Sequence, residues 1–299
     1  MTTHPIKIGI PGAGGRMGGM IIREMALRDD MVLVAATDRP DSDFIGQDSG
    51  VLAGIGSNGV TITSDAADLF AVADVVIDFT SPQASVAHAA LARDHTTSLV
   101  VGTTGLTEED ETALAATADR AALVYCANTS VGVTLLSRLV EQVAAQLVDG
   151  WDIEILETHH HHKVDAPSGT ALALGQAAAR GRGVDLDSVS DMVRKGQTGA
   201  RKQGDIGFAV LRGGDVAGEH SVIFFGDSER VEISHKANDR AIFARGALRA
   251  ARSSWRLDPV GSRPLVRPVL HEPSQVVDVV WGDWFWVTEF PSEHYRNAY

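Results

Sequence analysis

Ile6-Lys7-Ile8-Gly9-Ile10-Pro11-Gly12-Ala13-Gly14-Gly15-Arg16-Met17-Gly18 is the stretch that decides the fold. An apolar run of strand length meets a cluster of glycines, and Met17 to Leu27 then shows helical spacing. Met31 to Thr37 is a second apolar run and ends at Asp38. Strand, glycine turn, helix, strand and acid, in that order, make the βαβ unit that holds a dinucleotide. The glycines permit a tight turn and let backbone N–H groups approach a pyrophosphate. A strict G-x-G-x-x-G would put Met17 in the third glycine's place, so the pattern is better written as Gly12, Gly15 and Gly18.

Asp38 and Arg39 carry opposite messages about that dinucleotide. An acid at the end of the second strand hydrogen-bonds a ribose hydroxyl pair, whereas an arginine pairs with a 2′-phosphate. Having both predicts tolerance of NADH and NADPH. The alternation then continues through Val60–Thr63, Val75–Phe79, the helix Pro82–Asp94, Ser98–Val101, the acidic helix start at Thr107–Glu111, and Leu123–Cys126. Repeated strand–helix alternation predicts an α/β fold with a doubly wound parallel sheet of Rossmann type. Ligands of such sheets sit at the carboxyl ends of strands, which is where Asp78–Thr80, Gly102–Thr104 and Cys126–Thr129 fall.

The chain of 299 residues is long enough for two domains with real cores. A net charge of −13 argues against nucleic acid and anionic membranes as partners, so an anionic ligand needs a local concentration of positive charge. No apolar run reaches membrane-spanning length, and the N-terminus has no charged-then-apolar signal segment. The single cysteine, Cys126, excludes an internal disulfide framework and fits a reducing compartment, so the expected location is the cytoplasm.

Val131 to Val148 is a long amphipathic helix leading into a second domain. There Trp151–Leu156 reads as a strand and Ala171–Arg180 as a helix, with Glu157-Thr-His-His-His-His-Lys-Val-Asp-Ala-Pro-Ser-Gly-Thr170 between them. Pro167 to Thr170 has the composition of a helix entry, and a helix N-terminus beside lysine and histidines receives a carboxylate or phosphate. Ile206–Leu211, Glu219–Phe225 and Val231–His235 read as an antiparallel meander, making a four-strand sheet with the 152–158 strand. The second domain is therefore expected to be α+β on a mixed or antiparallel sheet. The basic loop 194–202 reads either as a mobile lid or as solvated surface. Ala241 to Ala251 is the last helix.

Four consecutive histidines, His159 to His162, invite a metal reading. Alternate side chains of an extended segment diverge, however, and no Cys-x-x-Cys, His-Glu-x-x-His or carboxylate partner accompanies them, so no metal is expected. Lys163, beside several histidines, can have its ammonium acidified enough to deliver a proton. The Gly169 and Thr170 N–H groups and the Thr170 hydroxyl can hold a carboxylate next to it, and Asp165 braces the turn. A dinucleotide domain together with a proton donor beside a carboxylate receptor is the equipment for reducing an unsaturated acid.

Glu157-x-His159-His160-x-x-Lys163-x-Asp165-x-Pro167-Ser168-Gly169-Thr170-Ala171 closely resembles the motif of the 4-hydroxy-tetrahydrodipicolinate reductase family, also called dihydrodipicolinate reductase, of diaminopimelate and lysine synthesis. The segments Gly12–Gly18, Asp78-Phe79-Thr80, Gly102–Gly105 and Ala127-Asn128 resemble that family's cofactor segments, and the likeness runs from about Ile6 to Ala251. The resemblance implies NADPH or NADH as cofactor, with contacts from Gly12, Ala13, Gly14, Gly15, Arg16, Met17, Asp38, Arg39, Gly102, Thr103, Thr104, Cys126, Ala127, Asn128 and Thr129. It implies His159 and Lys163 as the acid/base pair, with Lys163 the preferred donor, and His160, Gly169 and Thr170 as ligands of a small dicarboxylate. It also implies a homotetramer built through the second domain's sheets.

The expected division is a dinucleotide-binding domain over 1–130, to which 240–251 returns, a substrate-binding and oligomerisation domain over 131–239, and an atypical tail over 252–299. Four of the five tryptophans and five of the ten prolines fall in that tail, which is unlike the family's short ending. A shifted reading frame or a genuine replacement explains it. The other departures are Asp38, where a glutamate is frequent, and Pro11, which stiffens the turn. Two other readings compete with the reductase. One is a nucleotide-binding protein of the same fold whose altered tail has cost it turnover, and the other is a histidine-cluster metalloprotein.

Overall fold

Strand and helix alternate from Ile6 onward in a computed structural model that describes residues 4–256. The order is β1 (Ile6–Pro11), α1 (Arg16–Met25), β2 (Met31–Thr37), α2 (Ser49–Ala53), β3 (Ile62–Thr63), α3 (Ala66–Val72), β4 (Val75–Asp78), α4 (Pro82–His95), β5 (Ser98–Val101), α5 (Glu108–Ala115) and β6 (Leu123–Tyr125). Capping residues start the helices where the sequence turns polar. Asp65 caps α3, Ser81 caps α4 ahead of Pro82, and Thr107 and Asp110 form a reciprocal box at α5.

Every residue of β4, β5 and β6 is buried, as both faces of a helix-covered parallel sheet require. The six strands are parallel in the order β3-β2-β1-β4-β5-β6. The direction of winding reverses between β1 and β4, the switch point at which such sheets bind ligands. The register carries Asp78 opposite Val101 and Val101 opposite Tyr125, so the three loops that follow leave the sheet in step.

The second half contains α6 (Val131–Gln146), β7 (Asp152–His159), α7 (Gly169–Arg182), α8 (Leu186–Val189), β8 (Ser190–Asp191), β9 (Ile206–Arg212), β10 (Gly218–Gly226), β11 (Glu229–Ala237) and α9 (Ala241–Arg256). Two compact units result. One contains the described residues up to Thr129 together with those from Phe243, and the other spans Ser130–Ile242. Within the first unit, Ala244, Ala247, Leu248 and Ala251 of α9 share a core with Ile8, Ile10 and Ile77, and Trp255 packs against it. The helix thus continues past Ala251, where its pattern was expected to stop, because its apolar spacing extends to Trp255. The part of the 252–299 tail beyond Arg256 lies outside the described residues.

The second unit's sheet has five strands in the order β11-β10-β7-β9-β8, not four. The expected meander of β9, β10 and β11 is also corrected. β10 pairs antiparallel with both β11 and β7, while β9 pairs parallel with β7 on its other side. Periodicity identifies strands, whereas the α7 crossover decides that β9 returns beside β7 in parallel. Alternation in β7 puts Ile153 and Ile155 on the covered face, against Leu136, Val140, Leu174, Ala177 and Ala178. The same alternation carries Glu157 and His159 to the buried side.

Candidate functional site

Gly12 has φ +66, a left-handed conformation that glycine adopts without strain, and it turns the chain from β1 towards α1. A Cβ on Gly18 would lie 2.4 Å from the Gly12 carbonyl oxygen and 2.7 Å from the Ala13 Cα. Gly18 is therefore the glycine of close approach, and Met17 sits beside it. Gly15 stands at the N-cap of α1 and offers no side chain to cap it, so the first turn of α1 presents backbone N–H groups that an anion can accept. This cradle fits a pyrophosphate. Arg16 and Met17 open the helix.

Asp38 follows β2, and its carboxylate accepts from the Gly14 N–H at 3.1 Å and the Arg39 N–H at 2.8 Å. The acid thereby reads the glycine turn itself. Arg39 is exposed and pairs with Asp41 at 3.2 Å. Gly102, Thr103 and Thr104 follow β5, and the Thr103 hydroxyl faces inward and accepts from Ser85 at 2.8 Å. Cys126, Ala127, Asn128 and Thr129 follow β6. Burial pushes the Cys126 thiol up, and its Sγ donates to the Asn128 carbonyl, while Thr129 donates to the Phe243 carbonyl of α9 at 2.8 Å. All four segments lie at the carboxyl ends of β1, β2, β5 and β6 within one sheet.

In the second unit the histidine run does not stay extended. β7 stops at His159, and His161 and His162 lie in a turn with their rings 3.9 Å apart, so the expected divergence of alternate side chains fails beyond the strand. His161 is used in holding the loop after β9, since its N–H and its Nδ1 both meet the Gly214 carbonyl. Lys163 lies in the following segment, its Nζ held by both carboxylate oxygens of Asp165 at 2.8 and 2.9 Å. That hydrogen bond holds the Asp165 carboxyl below its ordinary range.

The centre of this region is Glu157, only 1% exposed. Arg212, the last residue of β9, donates to both of its oxygens at 2.9 Å, the Ser168 N–H donates at 3.0 Å, and His159 Nδ1 meets the same carboxylate. Burial alone would raise the Glu157 carboxyl, but the Arg212, His159 and Ser168 bonds outweigh it and the net direction is down. Burial also lowers His159, against the upward pull of Glu157. His159 is therefore a neutral imidazole that donates Nδ1–H to Glu157 and keeps a lone pair on Nε2.

Ser168 caps α7 by accepting from the Ala171 N–H at 3.2 Å, and it also meets His220 Nε2 at 3.1 Å. Burial, with His159 close by, brings His220 down to about 4. Gly169 and Thr170 form the first turn of α7, immediately after this cap, where backbone N–H groups point out of the helix end. Arg240 donates to His160 Nε2 at 2.9 Å. Burial and the Arg240 charge both depress His160, so it too is neutral, with its proton on Nδ1.

Arg212, His220 and Arg240 were missed in the sequence, and Glu157 was assigned no role. His220 had a readable signal, because it shares the inward phase of β10 with Val222 and Phe224. Arg212 carried the same signal, being in phase with the buried Ile206 and Phe208 of β9, whereas Arg240 precedes α9 and has none. Among the described residues Glu157, His159 and His220 bring ligand atoms within 4.8 Å of one another, so a carboxylate partner for the histidines does exist. The donor set suits a cation poorly, since the Glu157 oxygens already take four N–H donors, two of them from a guanidinium.

Residues 6–129 match the family model described as dihydrodipicolinate reductase, N-terminus, and residues 132–262 match dihydrodipicolinate reductase, C-terminus. The 4-hydroxy-tetrahydrodipicolinate reductase of Ruegeria pomeroyi is 53% identical over 249 residues, 83% of this chain and 93% of the relative. That of Rhizobium rhizogenes is 53% identical over 252 residues, 84% of this chain and 92% of the relative. Among solved structures, a dipicolinate-bound dihydrodipicolinate reductase from Paenisporosarcina sp. TG-14 shares the fold, with a TM-score of 0.67 and 23% identity over 84% of this chain and 95% of that one. GenD2 from gentamicin A biosynthesis, in complex with NAD, matches with a TM-score of 0.56 and 15% identity over 91% and 90% of the two chains.

Proposed function

This chain belongs to the dihydrodipicolinate reductase family, and from that premise we propose how its residues divide the reaction. The reaction is the reduction of 4-hydroxy-tetrahydrodipicolinate at the expense of a nicotinamide nucleotide, a step of diaminopimelate and lysine synthesis. The nucleotide supplies the hydride. The first unit grips it at Gly12–Met17, with Asp38 and Arg39 reading the ribose and the loops Gly102–Thr104 and Cys126–Thr129 completing the grip. Asp38 favours the free hydroxyl pair of NADH and Arg39 the 2′-phosphate of NADPH, so both nucleotides are accepted.

The second unit holds the dicarboxylate and supplies the proton. The N-terminal turn of α7 at Gly169 and Thr170 takes one carboxylate, and the Arg240–His160 pair takes the other. Reduction to tetrahydrodipicolinate releases the substrate's 4-hydroxyl as water. Lys163 gives its ammonium proton to the reduced substrate and is left as an amine, and Asp165 steadies it beforehand. His159 does not donate. With its proton committed to Glu157, its Nε2 accepts and orients. The Glu157 network carries this assignment, because one carboxylate fixes both the tautomer of His159 and the head of the substrate-binding turn.

Oxidation of NADPH and of NADH by the purified chain, each with freshly generated substrate, tests the reading. Turnover with both nucleotides is expected. A folded protein that oxidises neither refutes it.

We extend the proposal to assembly and location. The face of the second sheet opposite α6 and α7 carries Leu156, Ala209, Leu211, Ile223 and Phe225, with Leu211 52% and Phe225 37% exposed. A second copy covering this face is the step towards a homotetramer. Arg194 and Arg201 are bound to Glu154 and Asp152 of β7, which ties the basic loop to this sheet and argues against a free lid. Among the described residues no helix is long and apolar enough to cross a membrane, and the biosynthetic step fits the cytoplasm.

A further inference from the structure

Beneath the loops that grip the nucleotide, two side chains of α4 reach down to the ends of β4 and β5. His88 Nδ1 lies 2.9 Å from Asp78 Oδ2, and the other oxygen of Asp78 accepts from the Thr80 N–H at 2.8 Å and the Thr80 hydroxyl at 2.6 Å. Asp78 is 0% exposed and His88 is buried. Ser85, one turn earlier, donates to Thr103 at 2.8 Å. The consequences reach the glycine turn. A Cβ on Gly12 would come within 3.0 Å of the Thr80 methyl, so Thr80 forms the wall against which that turn packs. The Asp78 carbonyl accepts from the Gly102 N–H at 2.8 Å, and the Phe79 ring fills the space a side chain at Gly102 would need.

We infer that His88 is a positioning residue for the nucleotide site, acting through Asp78 on Thr80 and so on the Gly12 turn. The inference rests on the nucleotide-binding reading of the first unit. As a carboxylate, Asp78 can only accept, so His88 donates Nδ1–H, and the hydroxyl proton of Thr80 is committed inward. This leaves the rotamer of Thr80 no freedom, and its methyl stays against Gly12. A fold staple is the competing role, but α4 already has one in the Thr117 hydroxyl, which donates to the Ala89 carbonyl at 3.1 Å, and in buried Ala89 and Ala92. A buried carboxylate is a costly way to add a second, whereas it is the right group to fix a backbone N–H and a hydroxyl at once.

Asparagine places an amide where histidine has Nδ1, and glutamine places it one bond too far. The test therefore compares His88→Asn, His88→Gln, Thr80→Val and Thr117→Val in the full chain. Nucleotide Kd is read by fluorescence without substrate, and KM and kcat are read with it. His88→Gln and Thr80→Val are expected to weaken nucleotide binding about tenfold, with kcat at saturating nucleotide nearly unchanged. His88→Asn stays close to the parent, and Thr117→Val lowers Tm without moving Kd. Equal Kd for His88→Asn and His88→Gln, or a Kd that tracks Tm through all four variants, overturns the inference. If His88→Gln does not fold, Thr80→Val against Thr117→Val decides alone. A parent chain that binds nucleotide but does not reduce substrate refutes the proposed reaction and leaves the Kd comparison decisive. A parent that binds no nucleotide refutes both.

Discussion

Glu157→Gln keeps the shape of the side chain and removes its charge, which isolates the role of the carboxylate. Four N–H donors now converge on it, two from Arg212, one from the Ser168 backbone and one from His159. An amide has one oxygen and one NH2, so at most the donors on one edge remain satisfied. The arrangement that keeps the Ser168 N–H turns the NH2 towards His159 and one Arg212 nitrogen. His159 must then accept at Nδ1 and carry its proton on Nε2, which reverses what it presents. Breaking a buried ion pair by removing one partner costs about 3–5 kcal/mol. For a unit spanning Ser130–Ile242 that lowers Tm by roughly 12–20 °C. Reversing what an orienting group presents to the substrate costs on the order of 10²-fold in rate, so kcat is expected to fall about 10²-fold with nucleotide Kd unchanged. Calorimetry, nucleotide titration and nicotinamide absorbance measure the three quantities. A folded Glu157→Gln protein whose kcat stays within about threefold of the parent would falsify the tautomer argument.

Other perturbations separate the remaining roles. Lys163→Ala should lower kcat far more than it raises the KM of the dicarboxylate, because a proton donor acts in the transition state, and an unchanged kcat would move that role elsewhere. Arg39→Ala should raise the KM of NADPH by about tenfold and leave that of NADH nearly unchanged, since only the former has a 2′-phosphate. Equal changes for both would remove Arg39 from the ribose site. His220 is brought down to about 4 from an unfolded value near 6.5. The unfolded chain therefore binds the extra proton first as pH drops, and stability is lost between about 6.5 and 4, by about 3 kcal/mol at most. Urea midpoints at intervals across that range should slope less in His220→Leu than in the parent. Leu211→Asp, on the exposed sheet face, should shift the assembly towards smaller species in light scattering, and a parent already monomeric at working concentration would end the tetramer proposal.

The first unit was legible because its signals are local. Short strands such as Val75–Asp78 and Ser98–Val101, each of three apolar residues and one polar one, are buried on both faces as a helix-covered parallel sheet requires, and glycines at 12, 15 and 18 need no distant partner to be read. Strand order in the second unit was not local. β9, β10 and β11 are each recognisable by alternation, but whether β9 lies beside β10 or beside β7 depends on how α7 crosses the sheet. The sequence contains that choice only in the packing of Leu174, Ala177 and Ala178 over Ile153, Ile155 and Phe208.

The site divides along the same line. Lys163, Gly169 and Thr170, the residues proposed for proton donation and carboxylate binding, are readable as candidates because a helix entry beside a lysine is a chemical device that needs only a few residues. What governs that device lies at long range. Arg212 is 55 positions from Glu157 and His220 is 52 from Ser168. An inward-facing glutamate read alone predicts a destabilised strand, and the same residue with Arg212, Ser168 and His159 around it is satisfied at both oxygens. A buried acid in a strand's covered phase is thus itself a signal, since it is tolerable only if cations and backbone donors converge on it from elsewhere in the chain. The alternation of Ile153, Ile155, Glu157 and His159 already states that requirement, and only the tertiary fold names the partners that meet it.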